Sequence, residues 1–286
     1  ILKKVLKSVR FTVATEASAV ILNNLEVYHD LAAPAMKHLS ILSGSSNPLN
    51  RFSTAKILCK VLYSQKIDEN DDEEFIKNVM NILTKLVSDE VQSVSILALS
   101  AYLKGASISL NVSESQLMKN IDQIASHYSK MAVEYKIGLI SSFKIFGTKF
   151  ENLRVRVVNL LAEWLFVLDL DNVDHSRDCD KVIADMLLYF LETSLPKETI
   201  STIIGALSQF IEECELVNNS INVINSLGSI SAKFSQFNAA KIIASLFNVL
   251  ILADNLSLKE SALYSLMKMG LSYPEMQDTI INFYEK

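Results

Sequence analysis

A chain of 286 residues that is half hydrophobic, with only 7 Gly and 4 Pro, excludes folds built on many tight turns, because average usage is roughly 7% Gly and 5% Pro. The formal net charge is −5, from 27 basic and 32 acidic side chains. That balance provides no basic stripe to neutralise phosphate, so no nucleic acid is expected as a partner.

Taken in chain order, helical segments of two kinds alternate. The first kind opens on charged or polar side chains, passes through small residues and runs into Leu, Ile and Val at three- and four-residue steps. Its copies begin with Glu16-Ala-Ser-Ala-Val-Ile-Leu22, Arg51-Phe-Ser-Thr-Ala-Lys-Ile-Leu58 and Gln92-Ser-Val-Ser-Ile-Leu-Ala98. They continue with Tyr135-Lys-Ile-Gly-Leu-Ile140, Lys181-Val-Ile-Ala-Asp-Met-Leu-Leu188, Asn222-Val-Ile-Asn-Ser-Leu227 and Lys259-Glu-Ser-Ala-Leu-Tyr-Ser-Leu266. The starting residues are spaced by 35, 41, 43, 46, 41 and 37, close to the roughly 40–47 residues of HEAT and armadillo repeats. Ala17, Ala55, Ala98, Gly138, Ala184 and Ala262 supply the small side chains that let neighbouring helices approach.

The second kind of segment lies between these copies. Leu31 to Leu42 is read as a helix with Pro34 in its first turn, where a missing N–H costs nothing, and Gly44 to Pro48 as the turn after it. Phe75 to Val87 follows the acidic stretch Asp68 to Glu74, read as a solvated loop and helix start. Ser115 to Ala125 and Leu153 to Val167 come next, then a polar loop from Asp169 to Asp180. Lys197 to Cys214, Ala239 to Leu252 and Glu275 to Tyr284 complete the set. The expected fold is all-α: a HEAT/armadillo-type right-handed α-solenoid of about 13–14 antiparallel helices. No Pro/Gly/Ser-rich linker divides it, so residues 1–286 are read as one elongated domain. The start at Ile1 and the end mid-pattern at Lys286 suggest an excised fragment.

Residues for chemistry are sparse. Cys59, Cys179 and Cys214 are too few and scattered for a disulfide framework and suit a reducing cytosol. Of His29, His38, His127 and His175, only His175 with Cys179 has metal-ligand spacing, and that pair stands alone. Asp71-Asp72 and Glu212-Glu213 are adjacent carboxylates, which point different ways on a helix and do not converge on one bond. Trp164 and the Phe residues fall at helical spacing and read as core, and Lys3, Lys4, Lys7 and Arg10 as a solvated face. No phosphate-cradling glycine loop or nucleophile elbow occurs, and no uninterrupted apolar run approaches the about 18 residues of a membrane span. No catalytic, cofactor-binding or metal-binding residue is singled out, and partner-binding residues are not assigned.

Several segments carry a more specific resemblance. Ser113-Glu-Ser-Gln-Leu-Met-Lys-Asn-Ile-Asp-Gln-Ile124 with Glu134-Tyr-Lys136 is similar to a helix of the large γ subunit of coatomer, the coat of COPI vesicles. Leu31-Ala-Ala-Pro-Ala35, Arg51 to Leu58, Phe210-Ile-Glu-Glu-Cys-Glu215 and Ser261 to Gly270 follow in the same order as their counterparts there. The chain is thereby identified as resembling the C-terminal half of that subunit's adaptin-like trunk. The resemblance departs at Asp68 to Glu74, Asp169 to Asp180 and Val217 to Phe237. It implies a structural role, not an enzymatic one, in Golgi-to-ER and intra-Golgi transport. It implies zeta-, beta- and delta-type coat subunits as partners, no cofactor, and a cytoplasmic site on Golgi membranes and coated vesicles. It also implies an Arf-type small GTPase acting through regions outside this stretch, with membrane contact only indirect. A clathrin-adaptor large chain or another HEAT-repeat transport scaffold is the alternative.

Overall fold

With so few breakers, the backbone hydrogen bonds close within helices: among the described residues every regular segment is helical and no strand forms. The computed structural model describes residues 2–6, 11–64, 73–109, 111–165, 173–213 and 217–284. Contacts group them into two compact units, Ile1–Phe146 and Gly147–Lys286.

The first unit begins with α1 (Leu2–Val5), one turn with exposed Lys3 and Lys4. It continues through α2 (Phe11–Leu22), α3 (Leu25–Ser43), α4 (Pro48–Ser64), α5 (Glu73–Leu86), α6 (Gln92–Ser109) and α7 (Glu114–Ala125). It ends within α8 (Val133–Lys149), after a 3₁₀ turn at Tyr128–Lys130. Helices pack on their sequence neighbour and on the next but one: α2 on α3, α5 on α6, but also α4 on α6 and α3 on α5. That rule sorts them into two layers. α5 and α7 are amphipathic and bury one stripe, Ile76, Val79, Leu83 and Leu86 on α5. α6 is enclosed almost all round, with Val94, Ala98, Leu99, Ala101 and Leu103 fully buried. Its serines tolerate burial because their hydroxyls find partners: Ser107 donates to the Lys104 carbonyl at 2.7 Å, and Ser100 pairs with the Tyr63 hydroxyl at 2.8 Å.

The second unit comprises α9 (Glu151–Trp164), α10 (Val173–Leu191), α11 (Lys197–Glu213), α12 (Val217–Ile230), α13 (Gln236–Leu252), α14 (Leu256–Ser272) and α15 (Gln277–Tyr284). The same neighbour rule holds, with α9 on α11, α11 on α13, α10 on α12 and α12 on α14. Entry into helices is set by side-chain caps. Ser113, Ser235 and Asn255 accept from the backbone N–H groups of Gln116, Asn238 and Leu258, satisfying donors that a helix start leaves unpaired.

Polar bonds between helices restate the repeat. In the first unit they join Tyr63 to Ser100, Gln92 to His127, Gln123 to the Val87 carbonyl and Ser107 to Ser142, all 35–37 residues apart. In the second they join Ser201 to Asn238, Ser265 to the Ile224 carbonyl, and Tyr273 to the Ser231 and Phe234 carbonyls, 37–42 residues apart. The seven recurring segments all fall on the even-numbered helices α2 to α14, and their partners on the odd-numbered α3 to α15. The expected all-α HEAT/armadillo-type fold is what the chain adopts.

Two expectations are corrected. Pro34 is not at a helix start but inside α3, which begins at Leu25; the strain is taken by a kink at Tyr28, with φ −121° and ψ 29°. The polar stretch before Asp180 is not a loop from Val173 onward: α10 starts there, and Cys179, Ile183, Leu187 and Phe190 keep one apolar face in register. Polarity alone suggested a loop, whereas it belongs to an amphipathic helix. Residues 68–72, 166–172 and 214–216, which include Asp71, Asp72 and Cys214, lie outside the described residues.

One ion pair spans adjacent repeats. Arg51 donates from Nε to Asp89 Oδ2 at 2.6 Å and from Nη2 to Oδ1 at 3.0 Å, and reaches Glu90 at 3.1 Å. The guanidinium holds the Asp89 carboxyl below its ordinary value, against the opposing effect of burial. A carboxylate with a depressed folded pKa stabilises the fold above its unfolded value of about 3.9, and that contribution is lost as pH falls through the folded value. Asp89→Asn is therefore expected to melt lower than wild type at pH 7, and the gap should narrow below about pH 4. Circular dichroism melts of both proteins across that range check it.

Candidate interaction surfaces

The buried ionisable groups are inert. Cys59 lies in the core beside Tyr63, Ser100 and Tyr135; burial pushes its thiol far up, leaving it protonated. Burial likewise raises Tyr63 and lifts Tyr135 to about 12. His38, half-buried, sits 3.3 Å from Thr15 Oγ1, and burial lowers its pKa, so it packs between α2 and α3 as a rim residue. His127 meets Gln92 at 3.2 Å. Cys179 and Trp164 are buried. Among the described residues no group of three or more His, Cys, Asp or Glu is placed to hold a metal ion, and no helix is long and apolar enough to cross a membrane.

Recesses open between helices of one layer. In the first unit a trough of about 580 Å³ runs between α3 and α5. Its floor is apolar, from Ala32, Ala33, Met36, Phe75 and Ile82, and its rim carries Lys37 and Lys85, Asn78 and Asn81, and Glu74. His29 also lines it, a place its sequence neighbourhood did not disclose. In the second unit a smaller recess of about 330 Å³ has Ile211, Val249, Leu252 and Leu258 below Glu212 and Asp254.

A different kind of surface lies on α14. Leu263, Met267 and Leu271 recur at four-residue steps with exposures of 36%, 60% and 80%, beside Tyr264 at 56%. Aligning the 3₁₀ turns that follow α12 and α14 (Ser231–Lys233 and Pro274–Met276) equates Met267 with Ile224 and Leu271 with Gly228. On α12 those two positions are buried, with Ile224 at 0%, and the Ile224 carbonyl accepts from Ser265 of α14. The same stripe is therefore covered on α12 and open on α14. Not every Phe is core either: Phe237, early in α13, is 74% exposed.

Paired helices in two layers, polar bonds recurring at one-repeat spacing, and elongated recesses between helices define a HEAT/armadillo-type α-solenoid. The chain shares this fold with Kap121p, solved bound to Nup53p, at a TM-score of 0.51 and 13% identity over 99% of this chain and 30% of that one. In sequence it is similar to coatomer subunit gamma-1 of Oryza sativa, at 26% identity over 238 residues, covering 83% of this chain and 24% of the relative. It is likewise similar to coatomer subunit gamma-1 of Homo sapiens, at 23% over 269 residues, covering 94% of this chain and 28% of the relative. The chain thus spans about a quarter of the length of these curated relatives. No protein-family profile matches it.

Proposed function

We propose that the chain is part of the trunk of a γ-type large subunit of a COPI-like vesicle coat, where it acts as a scaffold and not as a catalyst. The observation that carries this reading is the similarity to coatomer γ subunits, which runs through 83–94% of the chain on a matching solenoid fold. In this reading the two units form one uninterrupted array over residues 1–286. The coat partners are zeta-, beta- and delta-type subunits. The protein is cytoplasmic and reaches Golgi membranes peripherally, through an Arf-type GTPase bound outside this stretch. The enclosed, polar-bonded helices suit such a role: each repeat is held by its neighbours, so the array keeps its curvature under load.

The full-length protein, fluorescently tagged in its own cells, is expected to concentrate on Golgi membranes and to disperse within minutes when Arf is held in its GDP form. A stable nuclear-envelope or plasma-membrane distribution that ignores the Arf state would instead favour another HEAT-repeat transport scaffold.

A further inference from the structure

The α3–α5 trough has a shape and a charge pattern that the scaffold role does not require. It extends from His29 to Ser40 on α3 and from Glu74 to Lys85 on α5, eleven residues of helix rise, or about 16 Å. Spread along that length, the volume of about 580 Å³ corresponds to a channel some 35 Å² in section, about 6–7 Å across. A helix with its side chains is about 10–12 Å wide and does not fit. An extended chain, rising about 3.3 Å per residue, does, and about five residues fill the length.

The walls match such a segment. Ala32 and Ala33 leave the space that larger side chains would close, and Met36, Phe75 and Ile82 offer an apolar floor for alternate side chains of a strand. The exposed Asn78 and Asn81 carboxamides each present a donor and an acceptor, the complement of a peptide unit. Charge gives the trough a direction. Lys37 and Lys85 lie toward the C-terminal ends of their helices and Glu74 at the N-terminal end of α5. α4 reverses the chain between α3 and α5, so the two lysines share one end. We propose that this trough is a docking site for an extended peptide segment of a partner protein, about five residues long, apolar at alternate positions and acidic at the end nearest Lys37 and Lys85. This stands apart from the coat reading, since it rests on the trough alone.

The test is fluorescence anisotropy with three labelled probes in low salt: acetyl-Leu-Ala-Leu-Asp-Glu, its Asn-Gln analogue and its Lys-Lys analogue. The acidic peptide is expected to bind at least about tenfold tighter than the neutral one, with the basic one weakest, and added salt should shrink the difference. Lys37→Glu with Lys85→Glu, two exposed positions, should reverse the order, and Ala33→Trp should abolish binding of all three while the melting temperature holds. Equal binding of the three probes, a preference that survives the charge reversal, or no binding up to about 1 mM (an affinity of about −4 kcal/mol) would each overturn the proposal. So would a bound peptide that turns helical by circular dichroism.

Discussion

Ala98→Asp is expected to destabilise the first unit by about 3–5 kcal/mol, the cost of an uncompensated charge in a packed interior. Ala98 has no exposed surface, and its helix α6 packs against α4, α5 and α7. Its helical neighbours Val94, Ala101 and Tyr102 are themselves buried. A carboxylate there exchanges water for hydrocarbon, so burial drives its pKa up and favours the neutral acid. The sign of the pH dependence follows. With the folded pKa raised, the variant is least impaired below the unfolded value of about 3.9 and loses stability as pH rises toward the folded value. Thermal melts at pH 7 and pH 5 should show a large deficit at the first and a smaller one at the second. Equal melting of variant and wild type at pH 7 would remove α6 from the centre of its layer.

The second large effect belongs to Gly228→Ala in the second unit. In an exposed helix interior, Gly to Ala gains about 0.5–1 kcal/mol, because Gly has more backbone entropy to lose. Here the added Cβ would stand 2.6 Å from Ser265 Oγ, 2.7 Å from its Cβ and 3.0 Å from its Cα. The last is backbone of α14 and cannot swing aside. Fitting the methyl therefore requires α12 and α14 to separate, opening the bond from Ser265 to the Ile224 carbonyl. Overpacking of this kind costs about 1–3 kcal/mol, enough to invert the sign. Gly44→Ala is the control: its nearest neighbour is the Ile41 carbonyl oxygen at 3.8 Å and its φ is −97°, so it should be neutral or mildly stabilising. If chemical denaturation found Gly228→Ala as stable as wild type, the close contact of α12 and α14 would be wrong.

These two positions show what could be read from residues alone. Ala98 falls among the small side chains of a recurring segment, and periodicity was enough to place it in a helix core. The repeat period was legible because the same bonding geometry recurs every 35–42 residues, as the Tyr63–Ser100 and Ser265–Ile224 pairs show. Gly228 lies beyond its segment's quoted stretch, and nothing local reveals that Ser265 sits opposite; register between helices is a three-dimensional property. Pro34 misled because the kink that accommodates α3 lies at Tyr28, several residues away. The stretch from Val173 misled because a polar helix face and a loop have the same composition. The trough was not legible at all, since Ala32 and Ala33 matter only for what they leave empty beside α5. Nor was the open stripe of α14, whose Leu263, Met267 and Leu271 look in sequence like any core helix. Whether a stripe is covered depends on what stands next to it.

The central claim, that this solenoid serves a COPI-like coat, is tested most directly by affinity purification of the full-length protein from its own cells, followed by mass spectrometry of what accompanies it. The expected result is zeta-, beta- and delta-type coat subunits in amounts comparable to the bait. Recovery of clathrin-adaptor small and medium chains in their place, or of nuclear transport factors with no coat subunit, would contradict the claim while leaving the fold intact.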